Sequence, residues 1–318
     1  VRAYIQSVVE NLQTQGYKVE DLEDPRPLGD HGGVWRCAVK SADEEMPAGV
    51  ILKRTGPAWP WRWQDWSCLY FLSDFAGTRN LASEFYAADE GVGYYLLEDL
   101  GLGSDLGSAI QRPDSRGRLA LSLLACNLAG LHAGTHGRER VFKTMRSRLP
   151  GPGPESDAEQ LEWRHDAAKG VETLKDGLEA RLAPALDRIQ AAIADPGPFL
   201  ALTHGDWEAV NVWYGDAGPR KLDFGNGNFR HALLDLTAWE ARLGLDSAGD
   251  LWREYFGELE RQGFGGLEGF GEAHAHARAW MALKLIAEGR RSDGVRDLLQ
   301  AASRREGLEA LAEVAAVF

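Results

Sequence analysis

Residues 202–227 read LTHGDWEAVNVWYGDAGPRKLDFGNG and hold three side chains, Asp206, Asn211 and Asp223, whose types and spacing could do chemistry together. VNVWY and RKLDF flank GDAGP, whose Gly215, Asp216, Gly218 and Pro219 are turn formers, so the stretch reads as a β-hairpin. Folding it about Ala217 places Asn211 six positions before the pivot and Asp223 six after it. Antiparallel pairing would then set the two side chains almost opposite each other. An amide oxygen and a carboxylate facing one point make a hard oxygen site. Such a site suits Mg²⁺, which takes one or two protein oxygens and completes its octahedron with water and phosphates. Asp206 lies in the loop just before the hairpin, free to address a second reactant.

A base, an Asn five residues on and an Asp-Phe-Gly across a hairpin match the pattern of phosphoryl transfer. That chemistry needs groups that hold phosphates. GDHGG brings Gly32 and Gly33 into a tight turn where backbone can approach them, although it falls short of a full GxGxxG. The β-branched run AGVILKR carries Lys53 where kinases keep the Lys that pairs phosphates. Such a Lys needs an acidic partner on an inserted helix. Asp65 is the first choice, and Glu84 is the alternative.

The elements that must position these residues change character along the chain. VRAYIQSVVENLQTQG reads as an amphipathic helix rather than a signal peptide. YKVEDLEDPRPLGD, VWRCAVK and AGVILKR read as strands, and FYAADEGVGYYLLEDLGLG as two more, with a helix inserted at WSCLYFLSDFAG. From about Gly101 onward long helical patterns take over: residues 118–134, 157–195, 233–245 and 271–289. The hairpin of 202–227 is the one strand pair expected in that part, and LPGPGPES at 149–156 reads as a loop between helices.

HGDWEAVN with LDFG, LLEDLG at 96–101 and LAGLH at 128–132 resemble the aminoglycoside phosphotransferase and choline kinase superfamily, small-molecule kinases with a protein-kinase-like fold. The resemblance in element order spans nearly the whole chain. It implies an α+β fold of two lobes: residues 1–99 as an N-lobe, an antiparallel sheet with an inserted helix, and residues 100–318 as a mainly helical C-lobe. It further implies ATP and Mg²⁺ as cofactors and a small-molecule hydroxyl as acceptor. Asp206 would be the catalytic base, Asn211 and Asp223 the Mg²⁺ ligands, and Lys53 the contact to ATP phosphates. Glu98 and Leu100 would offer hinge backbone to adenine, with Leu97 lining the pocket behind it.

Several simpler readings stand beside these. His204 and Asp235 read as structural groups, the latter tying a helix start to the catalytic loop. The cluster Trp59, Trp61, Trp63 and Trp66 reads as packing, with a substrate-facing lid as the alternative. GLGSDLG at Gly101 fails as a dinucleotide fingerprint because Leu106 stands where the last Gly belongs, and no P-loop occurs. Glu208, Asp235, Trp239, Glu240, Trp252, Glu254 and Tyr255 mix acids and aromatics. They form either a wall that attracts a cationic acceptor or a solvated helix face with its aromatics in the core.

Across 318 residues, 44% hydrophobic content and 11 Trp favour a folded chain, and a net charge of −13 disfavours a nucleic acid partner. Cys37, Cys68 and Cys126 are unpaired in spacing, which fits a reducing cytoplasm. No segment has the apolar length of a membrane helix. Aminoglycosides, choline or ethanolamine, sugars and amino alcohols all fit as acceptors. The rival from another class is a non-catalytic nucleotide-binding module on the same fold, which would commonly lack the base, a metal ligand or the Lys.

Overall fold

Ile5, Val8, Val9 and Leu12 recur at helical spacing, and in the computed structural model they form the buried stripe of α1 (Arg2–Thr14). The structure describes residues 1–29, 32–41, 47–74, 78–110, 115–151, 178–216, 218–243, 245–265, 267–290, 292–304 and 308–316. Asp30 and His31 of the GDHGG turn, and most of the expected loop at 149–156, lie outside them.

The α1 stripe shares one hydrophobic core with Val19, Leu22, Cys37, Val50, Leu52, Tyr94 and Leu96. Five strands supply the sheet: β1 (Val19–Pro27), β2 (Val34–Ser41), β3 (Gly49–Arg54), β4 (Phe85–Asp89) and β5 (Tyr94–Glu98). They pair antiparallel in the order β1-β2-β3-β5-β4, and α2 (Arg62–Ser73) is inserted between β3 and β4. Strand alternation sorts the side chains of VILK. Val50 and Leu52 go to the α1 core, so Ile51 and Lys53 belong to the other face. The register Lys53↔Tyr95 and Ile51↔Leu97 brings those four residues to that face.

The chain divides into two compact units. One gathers Val1–Ser108, Val141–Gly153 and Ala209–Asn226; the other gathers Ala109–Arg140, Pro154–Glu208 and Gly227–Phe318. Asn211 and Asp223 therefore belong with the five-stranded sheet, and Asp206 belongs with the second unit.

The second unit is mainly helical. Its described helices include α3 (Ser115–Thr135), α4 (Leu178–Ala194), α5 (Leu233–Leu243), α6 (Leu245–Arg261), α7 (Phe270–Ala287) and α8 (Asp293–Ser303). The helix expected over 157–195 is described only from residue 178 onward. Along the chain from Gly101 onward, strand content exceeds the single expected hairpin, which itself falls in the first unit. Beside it, β6 (Ser104–Asp105) pairs with the hairpin's first strand, and β7 (Leu200–Thr203) pairs with a later strand at Asn228–His231. These strands hold four residues or fewer and find partners far along the chain. An apolar run that short has no period to reveal it. Among the described residues no helix is long and apolar enough to cross a membrane, and all three cysteines are free.

Candidate active site

Lys53 and Tyr95 are cross-strand partners, and both reach the same carboxyl on α2. Lys53 Nζ lies 2.6 Å from Asp65 Oδ2, and the Tyr95 hydroxyl donates to that oxygen at 2.5 Å. The Phe224 N–H donates to Asp65 Oδ1 at 2.7 Å. Asp65 is fully buried and Lys53 is 13% exposed. Burial alone would push the Lys53 ammonium toward neutrality, but Asp65 and Asp223 outweigh it and raise its pKa. Burial likewise opposes the Asp65 carboxylate; Lys53, Tyr95 and the Phe224 amide overcome it and hold its pKa low. Asp65 rather than Glu84 is thus the acid that meets Lys53; the Glu84 backbone N–H donates to Glu98 Oε2 at 3.2 Å.

The glycine turn is tied to the same helix. Arg62 donates to the carbonyls of Gly32 and Gly33, at 2.6 and 3.0 Å. Of the expected adenine-side residues, Leu97 is buried on the Lys53 face. The Glu98 N–H goes to Glu84 O at 2.8 Å and its carbonyl accepts the Ser83 hydroxyl, while its carboxylate lies 3.5 Å from Arg220. No described group bonds to the Leu100 backbone.

The hairpin strands β8 (Val212–Gly215) and β9 (Gly218–Lys221) correct the expected register. Val212 faces Lys221 and Gly215 faces Gly218, so the ladder is centred between residues 216 and 217 rather than on Ala217. Leu222 is consequently the residue opposite Asn211, and its N–H donates to Asn211 O at 2.8 Å. Asp223 follows one position later with φ of 58°, a left-handed conformation uncommon outside glycine. One residue of offset would put Asp223 on the wrong face of a regular strand. The strand has already ended at Lys221, and the left-handed backbone at Asp223 leads into the Phe224 amide that meets Asp65.

Asn211 and Asp223 are both half-buried, and no described residue donates a hydrogen bond to the Asp223 carboxylate. Among the described residues no group of three or more His, Cys, Asp or Glu could hold a metal. Nothing among the described residues builds a cage for an ion, and the side-chain types of Asn211 and Asp223, an amide and a carboxylate, are ones that Mg²⁺ would take alongside water and phosphate.

In the second unit the loop after β7 is held by Asp235, at the start of α5. Asp235 is fully buried and accepts the His204 N–H at 2.8 Å, the Gly205 N–H at 3.3 Å and the Trp207 indole N–H at 2.6 Å. His132, the last residue of LAGLH, lies 3.4 Å from it and 2.8 Å from the Tyr255 hydroxyl. Burial opposes the Asp235 carboxylate, but its surrounding donors, His132 foremost, outweigh burial and hold its pKa well below the carboxylate range. The His204 ring accepts the Asp206 N–H at 3.2 Å, and Asp206 Oδ1 accepts the Glu208 N–H at 3.2 Å. The expected structural roles of His204 and Asp235 are therefore visible as bonds.

No protein-family model and no curated protein matches this chain. Solved structures do. The aminoglycoside phosphotransferase APH(2'')-Ib, ADP-bound, aligns with a TM-score of 0.54 and 14% identity over 98% of this chain and 98% of its own. The choline kinase LicA from Streptococcus pneumoniae aligns at 0.51 and 14% over 96% of this chain and 98% of its own. The fold is that of choline kinase and aminoglycoside phosphotransferase. The macrolide 2'-phosphotransferase MphH from Brachybacterium faecium aligns similarly, at 0.51 and 14% over 95% and 98%.

Within this kinase-like fold, the acids and aromatics considered as a cationic wall are mostly interior or ion-paired. Asp235, Glu240 and Tyr255 are fully buried, and Trp239 nearly so. Glu240 is held by Arg278 at 2.7 and 2.8 Å and by His274 at 3.0 Å. Glu208 pairs with Arg242 at 2.8 Å, and Lys284 lies over the Trp207 ring. The aromatics Trp239 and Tyr255 do lie in the core, but Asp235 and Glu240 are buried and bonded there rather than set on a solvated face. The tryptophan cluster divides: Trp63 and Trp66 are buried and stacked on each other, whereas Trp61 is 43% exposed.

Proposed function

We propose that the protein is a small-molecule kinase that moves the γ-phosphoryl group of ATP to a hydroxyl of a small acceptor. The observation that carries this reading is the Asp65 junction. A buried Lys–Asp pair is costly to desolvate and adds little stability beyond a well-packed apolar substitute. Buried ionised groups with strongly perturbed titration cluster at functional sites. Neighbouring structures of the same fold include complexes with ADP and with streptomycin and ATP, which supports a nucleotide ligand here.

In this reading Lys53 positions the phosphates, the turn at Gly32 and Gly33 faces them with backbone, and Leu97, Glu98 and Leu100 border the adenine. Asn211 and Asp223 would hold Mg²⁺, which when bound neutralises charge on the phosphate oxygens. Asp206 accepts the proton of the acceptor hydroxyl, the one proton transfer that phosphoryl transfer requires. The bonds from His204, Glu208 and, through the loop backbone, Asp235 fix its orientation. We assign no preference for a cationic acceptor, because Glu208 and Glu240 are ion-paired within the protein.

Incubation with γ-labelled ATP, Mg²⁺ and a panel of aminoglycosides, choline, ethanolamine, sugars and amino alcohols tests the proposal. Label is expected on a hydroxyl of one acceptor class. ATP bound without transfer to any of them would favour the non-catalytic module.

A further inference from the structure

Arg62 opens α2 and is only 4% exposed, yet among the described residues no carboxylate bonds to it. Its guanidinium is engaged by backbone instead. Nη1 donates to Gly33 O at 3.0 Å and to Arg54 O at 2.6 Å, and Nη2 donates to Gly32 O at 2.6 Å. The Trp59 ring covers the cation at 4.7 Å. Three carbonyls from the turn and the end of β3 thus converge on one buried charge.

Both glycines have φ of 66°. A Cβ at Gly33 would come within 2.6 Å of Arg62 Nη1 and 3.1 Å of the Trp59 ring, so the guanidinium can close on this turn only because the residue is glycine. No described acceptor takes the N–H of Gly32 or of Gly33. Successive amides in a turn, here without an acceptor among the described residues, make a concavity suited to anions. The sequence there is short of a full glycine-rich motif, and Arg62 ties down the two glycine carbonyls.

Resting on the kinase reading, we propose that Arg62 is a positioning residue for the nucleotide phosphates: it holds the turn's carbonyls on the protein side and leaves the Gly32 and Gly33 amides for phosphate oxygens. Asp65 lies three residues further along α2, so one helix sets both the Lys53 ammonium and the turn. Arginine is required because its planar fork can serve several carbonyls at fixed angles, which a single ammonium cannot.

Calorimetric titration of wild type, Arg62→Lys and Arg62→Met with ATP, ADP and adenosine tests this. Loss of the fork should weaken ATP and ADP binding in Arg62→Met by about tenfold or more, the scale of hydrogen bonds to charged groups. Adenosine, which has no phosphates, should bind unchanged, and Arg62→Lys should fall between. If Arg62→Met does not fold, Trp59→Leu removes the covering ring while keeping the cation, and should give a smaller loss, again confined to ATP and ADP. Equal weakening of adenosine and ATP would reduce Arg62 to a structural part and overturn the inference. ATP affinity unchanged in the folded variants would overturn it as well. A wild type that binds none of the three ligands would overturn the kinase reading and the inference together.

Discussion

The Phe224 amide donates to Asp65 Oδ1 across a sequence separation of 159 residues. The other oxygen of that carboxyl holds Lys53 and Tyr95. One buried side chain therefore joins the VILK strand, the inserted helix and the residue after Asp223.

Replacing Asp65 by Ala would leave the Lys53 charge buried without its partner. Breaking a buried pair in this way costs about 3–5 kcal/mol. A large fall in the denaturant midpoint is expected, together with loss of ATP turnover. Glu84→Ala should change neither, since the Glu84 backbone, rather than its carboxylate, is what meets Glu98. A damaging Glu84→Ala beside a silent Asp65→Ala would exchange the two assignments.

Acid stability follows from the depressed carboxylates. Asp65, Asp235 and Glu240 all have folded pKa values below their ordinary ones. Their contribution is thus complete above the unfolded values near pH ~4 and disappears as the pH falls toward the folded values. Denaturation followed from pH 7 downward should show stability falling below about pH 4–5. Asp235→Asn, less stable at neutral pH, should show a shallower acid fall. An acid limb of wild-type steepness in that variant would remove Asp235 from the account.

At the proposed metal position the two ligands are unequal in charge. Asp223→Ala should abolish turnover, whereas Asn211→Ala should weaken it and raise the Mg²⁺ requirement. The double variant should be little worse than Asp223→Ala, since both act on one ion. Identical Mg²⁺ titrations for wild type and both single variants would refute the pairing.

Glu240 provides a contrast. It is fully buried between His274 and Arg278. Glu240→Gln should therefore lower stability and leave the acceptor KM unchanged, with KM insensitive to salt. A KM that rises with ionic strength, and rises further in Glu240→Gln without loss of stability, would restore the cationic wall.

The reach of the sequence differs from element to element. The strands around Val50 and Leu52, and the stripe of Ile5, Val8, Val9 and Leu12, were legible because burial imposes a period on apolar residues. The ion pair of Lys53 and Asp65 was legible in part: the kinase-like pattern asks for an acid beside Lys53 and put Asp65 first, but it left Glu84 as an alternative that only the structure removes. The hairpin's existence was legible from its glycines, but its centre was not: a turn two residues long and one centred on Ala217 use the same letters. Tyr95 and Arg62 were missed for a different reason. Each lies in an aromatic run, YYLLE or WPWRWQDW, that reads as packing, and only the register Lys53↔Tyr95 or the bonds of the guanidinium separate it from its neighbours. The pairing of β7 with Asn228–His231 joins residues too far apart for local pattern to carry it.

Whether Asp206 serves as the base of a phosphoryl transfer is decided by ATP consumption of wild type and Asp206→Asn, compared across the acceptor panel in the presence of Mg²⁺. The substitution keeps the shape of the side chain and removes the proton acceptor. With the acceptor that wild type uses, turnover should fall by about 10²- to 10⁴-fold while ATP affinity is retained. Equal turnover in the two proteins, or ATP binding by wild type with no consumption above the Asp206→Asn level for any acceptor, would contradict that role.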